Sequence, residues 1–377
     1  MKRTSKYLFS ILVITALIAA GLVLKFSKKT TPQNGPANSS VQASQTVRLQ
    51  YLCHCQAVLK TQVGLRVVDL ESQTAKDIPI SLAALETGSF SQSHQRAVVR
   101  VANGAVDLVD LLSGSTRVLY QNIENEAITS FVWSPDGKFV LFGIHAKDQT
   151  ESGSQSIVAI SVTDDSAQTL LRVSDVRGSG ITSIYPVAVS NDKNIVIFSN
   201  GETADAKEFS WNVQERKLNE LPEQPVRGIY LAQTTGEPSL LLWLLDSLHS
   251  LNLKSLAAHS YPITTWSDEP MSQPNPQGKA VMFLQPGDGQ QFGRLALLDL
   301  ESGSESVFTE TNITNPSGLI DSQWTPDGQW FLYQPDYERQ DLIMAVEVSK
   351  PTQSPRVVSD PVLSGGELLS LITGTNN

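Results

Sequence analysis

From residue 47 onward the chain reads as short runs of alternating apolar and polar residues, broken by clusters of Gly, Pro, Asn, Asp and Ser. That period belongs to β-strands joined by turns, and no long helical stripe competes with it. Two runs nearly repeat one another: Trp133–Phe142 is WSPDGKFVLF and Trp324–Tyr333 is WTPDGQWFLY. In each, an aromatic ends one strand, Ser/Thr-Pro-Asp-Gly forms a tight turn, and an apolar strand follows. Proline presets φ for such a turn and glycine supplies its positive φ, so the segment reads as a hairpin.

Aligned on the turn glycine, six units fall at Gln95, Gly137, Lys193, Gly236, Gly278 and Gly328, with steps of 42, 56, 43, 42 and 50 residues. A four-stranded propeller blade takes roughly 40–50 residues. An outer-hairpin pattern supplies an independent count. It is clear at Asp69–Ser72, Asp110–Ser113 and Asp299–Ser302, and degenerate at Ser161–Asp164, Asn212–Glu215, Asn252–Ser255 and Glu347–Lys350. This gives seven outer hairpins against six first turns. The surplus unit, Val47–Ile80, lacks an inner strand, and the apolar Glu367–Thr373 at the other end of the chain can supply it. Pairing the two termini in one blade removes the exposed edges of an open sheet. The expected fold is all-β: a β-propeller of seven four-stranded blades, with six or eight compatible with the weak fourth and fifth units.

The turns WSPDGKFVLF and WTPDGQWFLY, with the outer hairpins GLRVVDLESQ and GRLALLDLESG, resemble the WD-like propeller repeats of the TolB type. Those repeats are shared with the propeller domains of dipeptidyl peptidase-like proteins. The resemblance implies the fold over most of Val47–Thr373. It implies little about function, because members of the family do unrelated jobs.

Residues 1–6 (MKRTSK) precede an uncharged stretch, Tyr7–Leu24, just long enough to cross a bilayer as one N-terminal transmembrane helix. A cleavable signal peptide is the rival reading, but Gly21–Leu24 stays apolar where a mature terminus turns polar. Residues 25–46 follow as a polar stalk, and 47–377 form the propeller domain. Basic residues flank the helix on both sides, leaving the positive-inside rule nearly balanced. The expectation is a single-pass signal anchor with the propeller on the extracytoplasmic side.

The first 46 residues hold six basic and no acidic side chains, so the remainder carries 22 basic against 38 acidic, a formal charge of −16. A domain of that charge repels nucleic acid and anionic lipid surfaces, so no nucleic-acid partner is expected.

Chemistry is sparse. The two cysteines form Cys53-His54-Cys55; strand alternation puts the cysteines on one face and His54 on the other, so the three do not share a metal in regular β geometry. They read as small buried residues, a disulfide between them requiring distorted backbone. The other histidines have no metal-ligand spacing, and no nucleophile elbow, phosphate loop or dinucleotide fingerprint is present. No catalytic residue, metal or cofactor is assigned. Trp133 and Trp324 hold a fixed place before the turn, which reads as blade packing.

In an up-and-down blade the first and third turns share one face of the disc, while the middle turns and the blade-to-blade links share the other. The first and third turns here are all tight, and length variation is confined to the second set. Binding tends to live on variable loops held by a rigid scaffold. The candidate partner-binding residues are therefore Tyr185, Trp266, Tyr337 and Arg339, since aromatics and arginine dominate interface energies. The sequence points to a membrane-anchored, noncatalytic propeller that binds a protein or envelope polymer through its long-loop face. The alternative is a lyase- or lactonase-like enzyme, or a sugar-binding protein, with its site at the central channel.

Overall fold

The structure, a computed structural model, describes residues 46–373 apart from 87, 92–94, 102–103, 122–125, 147–154, 202–205, 222–226, 235–236, 245–246, 253–254, 266–271, 288–291, 315–318, 320–321, 336–341, 361–362 and 364–366. The anchor, and the stalk apart from Thr46, lie outside the described residues. No described helix is long and apolar enough to cross a membrane.

The strands are β1 (Thr46–Val47), β2 (Cys55–Thr61), β3 (Gly64–Asp69), β4 (Ala75–Ile78), β5 (Ser89–Phe90), β6 (Arg96–Arg100), β7 (Val106–Asp110) and β8 (Thr116–Tyr120). Next come β9 (Glu126–Trp133), β10 (Phe139–Ala146), β11 (Ser156–Ser161), β12 (Ala167–Arg172), β13 (Tyr185–Val189), β14 (Ile195–Ser199), β15 (Glu208–Asn212) and β16 (Lys217–Glu220). The chain continues with β17 (Arg227–Thr234), β18 (Glu237–Leu244), β19 (Ser247–Asn252), β20 (Ala258–Tyr261), β21 (Ala280–Pro286), β22 (Gly293–Asp299) and β23 (Glu305–Val307). The last are β24 (Gln323–Trp324), β25 (Trp330–Tyr333), β26 (Ile343–Glu347), β27 (Arg356–Val358) and β28 (Glu367–Thr373).

They form seven sheets. Blade 1 is β28-β2-β3-β4; blades 2 to 5 are β5–β8, β9–β12, β13–β16 and β17–β20, each in sequence order; blade 6 is β21-β22-β23; blade 7 is β24-β25-β26-β27 with β1 added. The seven-blade count holds, and six or eight is excluded. Blade 6 departs from the expected four strands. Its inner position is taken by residues 272–275, which reach β21 through Ser272 N–H to Met282 O (2.8 Å) and Asn275 N–H to Ala280 O (2.8 Å). With prolines at 274 and 276 this segment lacks the donors of a regular ladder strand.

The ring closes as its sequence implies. β28 runs antiparallel to β2, from Cys55↔Thr373 to Lys60↔Glu367, so the last strand is the inner strand of the first blade. Seven separate apolar clusters fill the seven gaps between blades. Each blade lies between two others, so both faces of its middle strands are buried. In β14, Val196 and Phe198 face blade 3 while Ile195 and Ile197 face blade 5. That is why IVIF reads as a solid apolar run. The cluster joining blade 7 to blade 1 unites Trp330, Leu332 and Ala345 with Ala57, Leu59 and Leu371.

The repeat tryptophans stitch neighbouring blades. Trp133 Nε1 donates to Ser89 O in blade 2 (3.1 Å), and Trp324 Nε1 donates to Gln273 O at the inner edge of blade 6 (2.9 Å). Both rings are buried.

Candidate partner-binding face

The two ends of the disc are built differently. On one, four first turns are clamped by a side-chain oxygen three residues before the positive-φ position. Ser134 Oγ accepts from Phe139 N–H (3.2 Å), Ser190 Oγ from Ile195 N–H (2.9 Å) and Thr325 Oγ1 from Trp330 N–H (3.0 Å), while Asn275 Oδ1 takes the same part toward Ala280 N–H (3.1 Å). The positive φ falls at Gly137 (65°), Lys193 (61°), Gly278 (67°) and Gly328 (71°). Ser91 plays the same part in blade 2, accepting from Arg96 N–H (3.2 Å); the expected turn position, Gln95, follows residues that lie outside the described ones.

The third turns share a second device except in blade 7, whose third connection runs eight residues (348–355) and departs from the expected uniform tightness. Asp69, Asp110 and Asp299 each accept the amide three residues on, at 2.7–2.8 Å, and Asn212 and Asn252 do the same at 2.8–2.9 Å. The residue four places on is left-handed in six blades: Gln73, Gly114, Asp165, Arg216, Leu256 and Gly303. These carboxylates are spent on backbone amides, which hold Asp69 and Asp299 below the usual carboxylate range.

The other end carries the connections between second and third strands and the links between blades. These reach 15 residues at 308–322, and across all of them the sequence places 18 acidic and four basic residues, a net charge of −14. The first- and third-turn connections hold eight acidic and six basic residues, a net −2.

Tyr185 opens β13 at the long-connection end and is half-buried. It is the register partner of Ser199, and Ser199 is the partner of Glu208, so the three form a row across blade 4. Trp266, Tyr337 and Arg339 lie outside the described residues, so Tyr185 is the one candidate whose place is seen.

Glu208 escaped the sequence reading. It is 9% exposed, and loss of solvent pushes its carboxyl up to about 7. Phe209 faces blade 3, so alternation turns Glu208 and the buried Ser210 toward blade 5. His249 of β19, one strand position from the Leu251 that packs on this same gap, is buried with Nε2 2.9 Å from Ser247 Oγ. The signal was available: KEFSWN places Glu and Ser where a middle strand has both faces covered.

Cys53 and Cys55 are both buried, as expected, but they are joined by a disulfide, which the sequence reading set aside as needing distorted backbone. The chain bends at His54 and β2 starts only at Cys55, so the pair does not occupy one regular strand, and its Cα atoms lie 5.3 Å apart, within the span a disulfide needs. Among the described residues no group of three or more His, Cys, Asp or Glu is arranged to hold a metal ion.

No family model matches the sequence, and neither does any curated protein. Solved structures do match in fold. Oligogalacturonate lyase from Vibrio parahaemolyticus aligns with 80% of this chain and 89% of its own at a TM-score of 0.50 and 12% identity. Porphyromonas gingivalis dipeptidyl peptidase 4 aligns with 85% of this chain and 50% of its own (TM-score 0.47, 11% identity), and TolB from Acinetobacter baumannii with 89% and 88% (0.40, 10%). The fold is the seven-bladed propeller. At such identities the likeness extends to the fold alone.

Proposed function

We propose that this chain is a membrane-tethered, noncatalytic propeller that binds a protein or envelope polymer through the face of its long connections. One observation carries the reading: the two sets of connections divide length and charge unequally, those of the tight-turn face summing to −2 and those of the long-connection face to −14. A rigid ring presenting long acidic connections suits a partner with a basic surface, which long-range attraction steers into place. The tether follows from Tyr7–Leu24 and the stalk after it. An extracytoplasmic position agrees with the Cys53–Cys55 disulfide, since such bonds persist in oxidising compartments.

The test is capture of a partner from membranes by the parent chain, by Trp266→Ala/Tyr337→Ala, and by Lys138→Glu on the opposite face. The first variant should lose the partner with an unchanged melt, the second should keep it, and capture should weaken as salt rises. Loss on Lys138→Glu with retention by the double variant would reverse the faces.

The alternative, a propeller enzyme or small-ligand binder, has the raised Glu208 carboxyl on its side, since shifted groups cluster at functional sites. Glu208 sits on the third strand of its blade, away from the inner strands that line the channel. That position suits a polar gap between blades better than a channel site.

A further inference from the structure

Before entering blade 1 the chain runs as a strap across blade 7. β1 pairs in parallel with β27 through Thr46↔Val357 and Val47↔Val358, and Ser359 N–H donates to Val47 O (3.0 Å). Leu49 N–H donates to Asp360 Oδ2 (3.1 Å), a turn at Leu49–Tyr51 follows, and Cys53 N–H returns to Leu49 O (3.2 Å). Cys55 then starts β2 opposite Thr373, the end of the closing strand. Leu49, Leu52, Cys53 and Cys55 are all buried in the cluster that joins blade 7 to blade 1.

We propose that Cys53 and Cys55 form a redox latch that sets whether the strap stays docked on blade 7. Oxidation joins the two Sγ atoms, and their two protons and two electrons pass to a disulfide-bearing oxidant, which leaves as its dithiol. Two thiol equivalents reverse the step. The switch works through volume. Bonded sulfurs sit about 2 Å apart, whereas unbonded ones need about 3.5–4 Å. Both residues lie under 10% exposed in the cluster that holds Trp330, Leu332, Val358 and Leu371, so widening the pair presses on close-packed neighbours. Overfilling a packed core displaces its least anchored element. That element is the strap, held by the two-residue strand β1, the bonds at Ser359 and Asp360 and its own buried Leu49 and Leu52. β2 is held on both sides, by β28 and β3.

Hydrogen exchange of the full-length chain in detergent, oxidised and then reduced, tests the proposal without any variant. Alkylation under non-reducing conditions should leave both cysteines unmodified, and reduction should open both. The amides of Leu49 and Ser359 should exchange about tenfold faster or more in the reduced chain, while those of β14 stay as they were. A Cys53→Ala/Cys55→Ala chain, whose smaller side chains fit without a bond, should keep the strap docked and ignore the reductant. The latch is refuted if the oxidised chain is alkylated at either cysteine, or if Leu49 and Ser359 exchange at the same rate in both redox states.

Discussion

The tight-turn face and the long-connection face belong to the same seven blades, yet they solve opposite problems. On the first, side chains are committed to the backbone: Ser134, Ser190 and Thr325 satisfy amides of the first turns, and Asp69, Asp110 and Asp299 satisfy those of the third. On the second, the connections vary from two residues to 15 and keep most of the domain's surplus negative charge. A scaffold and a working surface are thus separated along the disc axis. Changes on the first should register as stability, and changes on the second as binding.

The sharpest test is the exception. The connection between β2 and β3 is a two-residue turn on the long-connection face, and its Gly64 has φ 139°, with a Cβ there falling 2.5 Å from Ile78 O and 2.8 Å from Ile80 N. Both atoms are backbone and cannot step aside. Gly64→Ala should cost about 3 kcal/mol or more in denaturant unfolding, within the range of the severest single substitutions. A neutral result would show that blade 1 tolerates a loosened outer hairpin and that the division between faces has no such exception.

The next effect concerns Glu208. Its folded pKa of about 7 exceeds the ordinary 4.5, so the folded chain holds a proton that the unfolded chain has released. Stability should be level below about pH 4.5, fall by about 1–3 kcal/mol between pH 4.5 and 7, and level out above. Glu208→Gln should remove that fall in a series of melts across the range. An unchanged profile in the variant would assign the pH dependence to other groups.

Smallest are the left-handed positions of the tight face. Gly137 has open space around a built Cβ, so Gly137→Val carries backbone strain alone, about 1 kcal/mol. Leu256 already bears that strain at φ 57°, and Leu256→Gly should raise the melting temperature by a few degrees. Equal and opposite shifts would show that both turns have the same backbone requirement; a destabilised Leu256→Gly would mean its packing beside blade 4 outweighs the strain.

Much of this architecture is legible in the chain because turns carry chemistry that sequence can show. The hydroxyl before Pro-Asp-Gly, the Asp of the outer hairpin and the apolar Glu367–Thr373 each name a backbone role. Where the role passes to another residue type the reading slips. Ser91 accepts an amide in the blade 2 turn where no glycine marks the turn. Residues 272–275 fill a strand position with too few amide donors to look like one. The disulfide was missed because alternation was assumed through His54, where the chain bends. Glu208 was missed because a polar residue in a strand usually signals a solvent face, and the middle strands of a closed ring have none.

Closure by β28 also fixes a time order. Cys55 and Thr373 are separated by 318 residues and still pair directly. During synthesis blade 1 therefore waits, with the inner edge of β2 open, until the last strand leaves the ribosome. Contacts so distant along the chain form slowly, and an open edge held meanwhile invites pairing with another chain. A ring that ends with β28 covering the inner edge of β2 spends its whole assembly with that edge bare, so the closing strand decides when blade 1 becomes safe from aggregation.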